Sequence, residues 1–185
     1  DIYPFTSTYL YQRSAALYQN SEIGYYSTIT NIGWNIATAR AVGIPVKIYL
    51  KQIAATQLVQ DTWANMISGA TLVYDNTVSF TPSGWFSIDI NDFNYSEGNL
   101  LVLCESNNSD WATPPYFYGS TSANRHLIWV ADDVAPAGNG SFNSYRPNLS
   151  ITFEDANAAY VSSTAIQASE DDVYKNSLNN EIVAL

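Results

Sequence analysis

Ser27-Thr28-Ile29-Thr30-Asn31-Ile32-Gly33-Trp34-Asn35-Ile36 decides the fold class. Side chains alternate between the two faces of a strand, so a period of two marks a half-buried strand. The alternation places Thr30, Ile32, Trp34 and Ile36 on a core face and Ile29, Asn31 and Gly33 on the other. Working outward, Leu100-Leu101-Val102-Leu103-Cys104 is continuously apolar and reads as a central strand covered on both sides. Further strands are predicted over residues 28–36, 46–51, 72–80, 85–90, 100–106, 116–118, 126–131 and 148–154. Gly, Pro, Asn and Asp punctuate them at roughly 8–12 residue spacing, the pattern of a sandwich. Pro82-Ser83-Gly84 reads as a tight turn, 135–140 as a loop, and Pro114-Pro115 as an extended segment outside any sheet. One helical turn is expected over 61–67, capped by Asp61 or the residues before it, with Gly69 as its stop. Residues 10–17 fit either a strand or a helix.

The composition narrows the function classes. In 185 residues there are 7 Lys+Arg against 17 Asp+Glu, a formal net charge of −10, and charged residues make up only 13%. No basic patch is available to neutralise phosphates, which argues against nucleic-acid binding. No apolar run is long enough to span a bilayer as a helix. Cys104 is the single cysteine, so no disulfide framework exists. A hydrophobic fraction of 46% sets aside a charge-driven disordered chain. Few charges with many Tyr, Asn, Ser and Thr fit an extracellular or cell-surface β-protein. A start at Asp1 rather than Met predicts a processed chain or an excised fragment.

The composition shifts after Phe153. From Glu154 onward there is no Trp, Phe, Gly or Pro, and six acidic residues face only Lys175, which is half of the net charge. The division expected is a β-sandwich over residues 1–154 and an acidic C-terminal extension over 155–185, acting as a linker or a donor strand. Its apolar islands, Ala158-Ala159-Tyr160-Val161 with Ile166 and Ile182-Val183-Ala184-Leu185, fall in the segments Tyr160-Val161-Ser162-Ser163-Thr164-Ala165-Ile166 and Ile182–Leu185, which are too poor to build a core alone. With residues 1–5 they are candidate donor segments for an open sheet edge, on a neighbouring copy or an adjacent domain.

Several motifs occur in order along the chain: Asp61-Thr62-Trp63-Ala64-Asn65-Met66-Ile67-Ser68-Gly69-Ala70-Thr71-Leu72-Val73-Tyr74-Asp75-Asn76, then Val78-Ser79-Phe80-Thr81-Pro82-Ser83-Gly84-Trp85-Phe86 and Gly98-Asn99-Leu100-Leu101-Val102-Leu103. Later come Tyr116-Phe117-Tyr118 and Tyr145-Arg146-Pro147-Asn148-Leu149. Together they resemble a β-sandwich module of large secreted bacterial proteins, related to the cleaved-adhesin (jelly-roll) domains. The resemblance covers most of residues 3–153. The tail is similar to the opening of a β-domain that accompanies bacterial sialidase-type repeats. The resemblance implies an exported, non-catalytic, all-β jelly-roll-like sandwich with a C-terminal extension, and it implies no defined ligand.

Candidate sites follow from residue chemistry. His126 is the only histidine, and no Gly-x-Ser-x-Gly elbow is present, so a Ser/His/Asp machine has no foothold. Glu22, Glu97 and Glu105 are the carboxylates available for glycoside hydrolysis, with nothing in the sequence that pairs them. Cys104, in the most apolar strand, reads as an inert core residue. The chain is therefore expected not to be an enzyme. No His/Cys spacing suits zinc. Calcium is the candidate cation, with oxygen donors at Asp89 and Asp92, at Glu105, and at Asp132 and Asp133; the adhesin resemblance adds weight to structural calcium, while the plain alternative is a set of solvated turn residues. For a glycan, Trp111 sits in a polar loop with Asn107 and Asp110 and is followed by Tyr116, and Tyr118, Arg125 and Trp129 are expected to join it if their strands are adjacent. The plain alternative has Trp111 folding back over a sandwich end. Trp34, Trp63 and Trp85 have apolar neighbours and read as core or corner packing.

Two functions from different classes fit these residues. The first is a non-catalytic extracellular module for cell-surface adhesion or head-to-tail assembly. The alternative is a carbohydrate-binding module of a secreted multidomain hydrolase.

Overall fold

A computed structural model describes residues 1–154, 160–161 and 181–184. It is an all-β, jelly-roll-like sandwich in which the chain passes repeatedly between two sheets. The first sheet joins β1 (Tyr11–Tyr18), β3 (Gly43–Ile53), β4 (Thr71–Ser79), β6 (Asn99–Asn107), β9 (His126–Ala131) and β10 (Ser141–Phe142) in the order β10-β9-β1-β6-β3-β4. The second joins β2 (Ser27–Thr38), β5 (Gly84–Tyr95), β12 (Leu149–Phe153), β13 (Tyr160–Val161) and β14 (Glu181–Ala184) in the order β13-β14-β12-β2-β5, with β7 (Tyr116–Phe117) also on β2. A short ribbon pairs β8 (Gly119–Thr121) with β11 (Tyr145–Pro147). Residues 11–18 are thus a strand, because β1 is inserted between β6 and β9 and both its ladders are satisfied.

The opening stretch forms β2, but one residue departs from strict alternation. A register shift between Ile29 and Asn31 turns Ile29 inward, so Ile29, Ile32, Trp34 and Ile36 are all buried in the core between the sheets. Gly33 lies where a Cβ would come within 2.5 Å of both Phe86 O and Ser150 Oγ, so only glycine fits that crossing without movement.

The apolar run of β6 is covered on both sides, as its sequence requires. Leu100, Val102 and Cys104 face the inter-sheet core, whereas Leu101 and Leu103 join a second cluster with Ala15, Leu17, Leu127, Trp129, Leu58 and Trp63 on the outer face of the first sheet. That face is roofed by the β3–β4 connection, which carries α2 (Trp63–Ile67). The cap of α2 is Thr62, whose hydroxyl accepts from Asn65 N at 3.3 Å; Asp61 instead accepts from Thr62 N and the Asn65 amide, both at 2.7 Å. Gly140 N donates to Asp61 O and Gln60 donates to Gly140 O, tying the roof to the 136–140 loop.

Residues 1–5 fold onto their own chain. Phe5 is fully buried, stacked on Phe80 at 5.0 Å and edge-on to Trp34 at 5.0 Å, and Phe117 N donates to Asp1 O at 2.7 Å. Of the proposed tail donors, β14 pairs antiparallel with β12, and Tyr160–Val161 pairs parallel with β14; Ser162-Ser163-Thr164-Ala165-Ile166 and Leu185 lie outside the described residues, as does most of the 155–185 extension.

Candidate functional site

Any acid–base chemistry by an imidazole would centre on the single histidine. His126 opens β9 opposite Ala16, and Ser14 Oγ stands 3.0 Å from its Nε2 while its Nδ1 faces the Tyr145 carbonyl. The carbonyl can only accept, so Nδ1 carries the proton and Nε2 accepts from the Ser14 hydroxyl. A Ser–His pair was not foreseen from sequence, and its partners lie far apart along the chain. Its surroundings are those of a core group: both residues are buried, and among the described residues no carboxylate orients the ring. Burial pushes the His126 pKa down to about 4, the Tyr145 carbonyl opposes this, and Arg146 adds to it. The imidazole is neutral at pH 7. Burial likewise holds the Cys104 thiol well above its usual range.

The ionisable residues that do converge form a buried cluster at the far end of β1. Glu22 lies in the short helix α1 (Asn20–Ile23), whose capping box brings its carboxylate back to Gln19 N at 2.7 Å. Arg146 from β11 meets it with two parallel bonds of 2.7 and 2.9 Å and also donates to Leu17 O. The guanidinium lies 4.4 Å over the Tyr18 ring. Arg125 reaches the same carboxylate at 3.3 Å and Gln19 Oε1 at 2.6 Å. Burial alone would raise the Glu22 pKa; the bonds and charge of Arg146 outweigh it and hold the carboxyl below its usual value. Arg125 is therefore a structural clamp, which separates it from the glycan group predicted around Trp111.

Trp111 is at the opposite end. There Tyr11 pairs with Asn107 and Ala131, whereas Arg125 precedes the Ala16–His126 pair, several residues along the same strand. Trp111 is exposed, its indole N–H donates to Asp132 Oδ1 at 3.0 Å, and Asp110 accepts from its backbone N–H. Asn107 turns to Glu105 at 3.4 Å. The polar residues grouped with Trp111 thus hold its own loop.

Tyr116 and Tyr118 go elsewhere, to the second sheet. Tyr116 pairs with Thr38, and Tyr118 N donates to Asn35 O at 2.9 Å, one step beyond the Ile36–Phe117 pair. Asn35 is opposite Trp85 on its other side. Trp85 is not a core residue: it is 41% exposed, because alternation puts Phe86, Ile88 and Ile90 inward and Trp85, Ser87 and Asp89 outward. The periodic signal was present in the sequence and was masked by apolar neighbours.

The oxygen donors suggested for calcium are dispersed. Asp89 and Asp92 are exposed on β5 in the second sheet; Glu105, on β6 in the first, is ion-paired with Arg13 at 3.0 Å. Asp132 is bound by Trp111 and by Leu10 N, and Asp133 is exposed beside it. Among the described residues no three His, Cys, Asp or Glu side chains come together as a metal site.

The remaining feature is an edge. β12 pairs with β2 along one side and with β14 along the other, in the register Leu149–Ala184, Ser150–Val183, Ile151–Ile182 and Thr152–Glu181. No helix of the described residues is long and apolar enough to cross a membrane. No family model, curated protein or solved structure matches the chain.

Proposed function

We propose that the chain is a non-catalytic module of an exported protein, working at the cell surface in adhesion or assembly, and that copies join head to tail by exchanging the β14 strand along β12. The observation that carries this reading is the β12–β14 ladder. Among the described residues, the inter-sheet core draws on side chains from Phe5 to Phe153, and β12 supplies Leu149, Ile151 and Phe153 to it. The outer edge of β12 is occupied by a four-residue strand from far along the sequence. Strand addition draws its attraction from main-chain hydrogen bonds, which are the same whichever copy supplies the strand. The balance between the chain's own β14 and a neighbour's is set by effective concentration, and crowding on a surface favours the neighbour. Such a contact is heterologous and extends as a fibre unless its rotation closes a ring. The acidic, charge-poor composition and the burial of the only histidine support a role without catalysis.

Cysteine exchange tests it. Chains carrying Ser150→Cys and chains carrying Val183→Cys are mixed at high concentration and oxidised; buried Cys104 does not compete. The expected product is a disulfide dimer containing one of each. Only unlinked monomers, with the double variant closing within a single chain, would contradict exchange between copies.

A further inference from the structure

The geometry points to a second surface function: the outer face of the second sheet is a stacking platform for a neutral polysaccharide, formed by Trp85, Asn35 and Tyr118 and extended by Tyr116. Three adjacent strands build it. Asn35 on β2 is flanked by its partner Trp85 on β5 and by Tyr118 just past β7. The inward neighbours Phe86, Trp34, Ile36 and Phe117 pack in or against the core, which sends these side chains outward. Trp85, Tyr116 and Tyr118 are 41%, 42% and 55% exposed. Two strand spacings separate Trp85 from Tyr118, roughly 10 Å between backbones. That separation suits rings seated under two sugars of one chain with an amide between them.

The rest of the face selects the ligand class. Below the row, Gly33 lies opposite Ser87 with the buried Ser150 side chain against it, and beyond Ser87 and Asp89 the face ends at a depression shared with Tyr74 and Val78 of β4, between the edges of the two sheets. The outward positions of β2 and β5 around the rings are Asn31, Gly33, Ser87 and Asp89, with Ala37 past Asn35, so one methyl is the only aliphatic group among them and there is no Met or Arg. Protein-binding hot spots rely on such apolar or Arg anchors around their aromatics. Rings surrounded by amide, hydroxyl and carboxylate groups instead match a ligand whose C–H faces are apolar and whose rim is all hydroxyl. β2, β5 and β7 contain no Lys or Arg, while β5 carries Asp89 and Asp92, so a sulfated or uronate chain is repelled. The platform spans β7, β2 and β5 and does not depend on strand exchange at the β12 edge.

Affinity electrophoresis of the whole chain in gels containing hydroxyethylcellulose, galactomannan, xylan or alginate tests the assignment. At least one neutral polymer is expected to retard the protein and alginate is not. Trp85→Ala and Tyr118→Ala should each weaken that retardation tenfold or more with an unchanged melting temperature, and Trp111→Ala should leave it intact. Retardation by no neutral polymer, retention by alginate, or binding that survives Trp85→Ala would overturn the proposal. So would self-association that Trp85→Ala abolishes in the absence of polysaccharide binding, which would assign the face to a second copy.

Discussion

Arg146 is 1% exposed, and its charge is tolerable only because Glu22, the Leu17 carbonyl and the Tyr18 ring surround it. Removing one member of a buried pair leaves the other uncompensated, which typically costs about 3–5 kcal/mol. Arg146→Met should therefore destabilise by that amount in urea titrations, and Glu22→Leu/Arg146→Met by much less. The same end of the molecule sets the acid sensitivity. In the unfolded chain His126 takes up its proton near its ordinary value of 6.5, but in the fold only near 4. Between those values the unfolded chain binds more protons, so stability falls as pH falls. Glu22, held below its usual value, adds a loss in the same direction at still lower pH. His126→Asn should flatten the stability profile between pH 6.5 and 4 by up to roughly 3 kcal/mol, measured as urea midpoints across that range. None of this cluster was legible beforehand, because Glu22 and Arg146 are 124 residues apart and only the closed sandwich joins them. Trp85, by contrast, carried a local signal in its alternation with Ser87 and Asp89, and it was read as packing only because its neighbours are apolar.

At the level of elements, the main strands follow from local pattern, and boundaries move by a few residues where ladders continue beyond the apolar run. β5 extends to Tyr95, past the predicted end at 90, because Phe93 and Tyr95 pair with Ile29 and Ser27 across the bulge. The short pieces α1, β8, β10 and β11 carry too few residues to show a period. The helical turn over 61–67 and the packing of Trp63 were expected, but not the face they roof: Leu58 is followed by exposed Val59 and three polar residues, and the burial of both Leu58 and Trp63 depends on Trp129 and Leu103 from distant strands. Trp63 is 5% exposed and meets Trp129 edge-on at 5.4 Å. Trp63→Ala should cost about 3–5 kcal/mol in chemical denaturation, as large-to-small core substitutions do, with the far-UV spectrum retained. Gly33→Ala drives a methyl into Phe86 O and Ser150 Oγ and should cost about 1–3 kcal/mol by the same measurement.

For the whole molecule, strands of even spacing and a doubly covered central run were enough to expect a sandwich. Strand order was not, because it rests on non-local pairing such as the insertion of β1 between β6 and β9. The grouping of Trp111 with Arg125 failed at this scale, since loops adjacent in sequence reasoning lie at opposite ends of β1. What the architecture offers instead is two separate surfaces on one sheet, an edge at β12 and a ringed face around Asn35. The central proposal concerns the edge. Sedimentation velocity of the whole chain over a wide concentration range, beside the double variant Ile182→Pro/Val183→Pro that removes main-chain donors from β14, tests it most directly. The account predicts concentration-dependent polymers for the unaltered chain and a monomer for the variant. A monomer at every concentration for both, or polymers that the prolines leave unchanged, would contradict it.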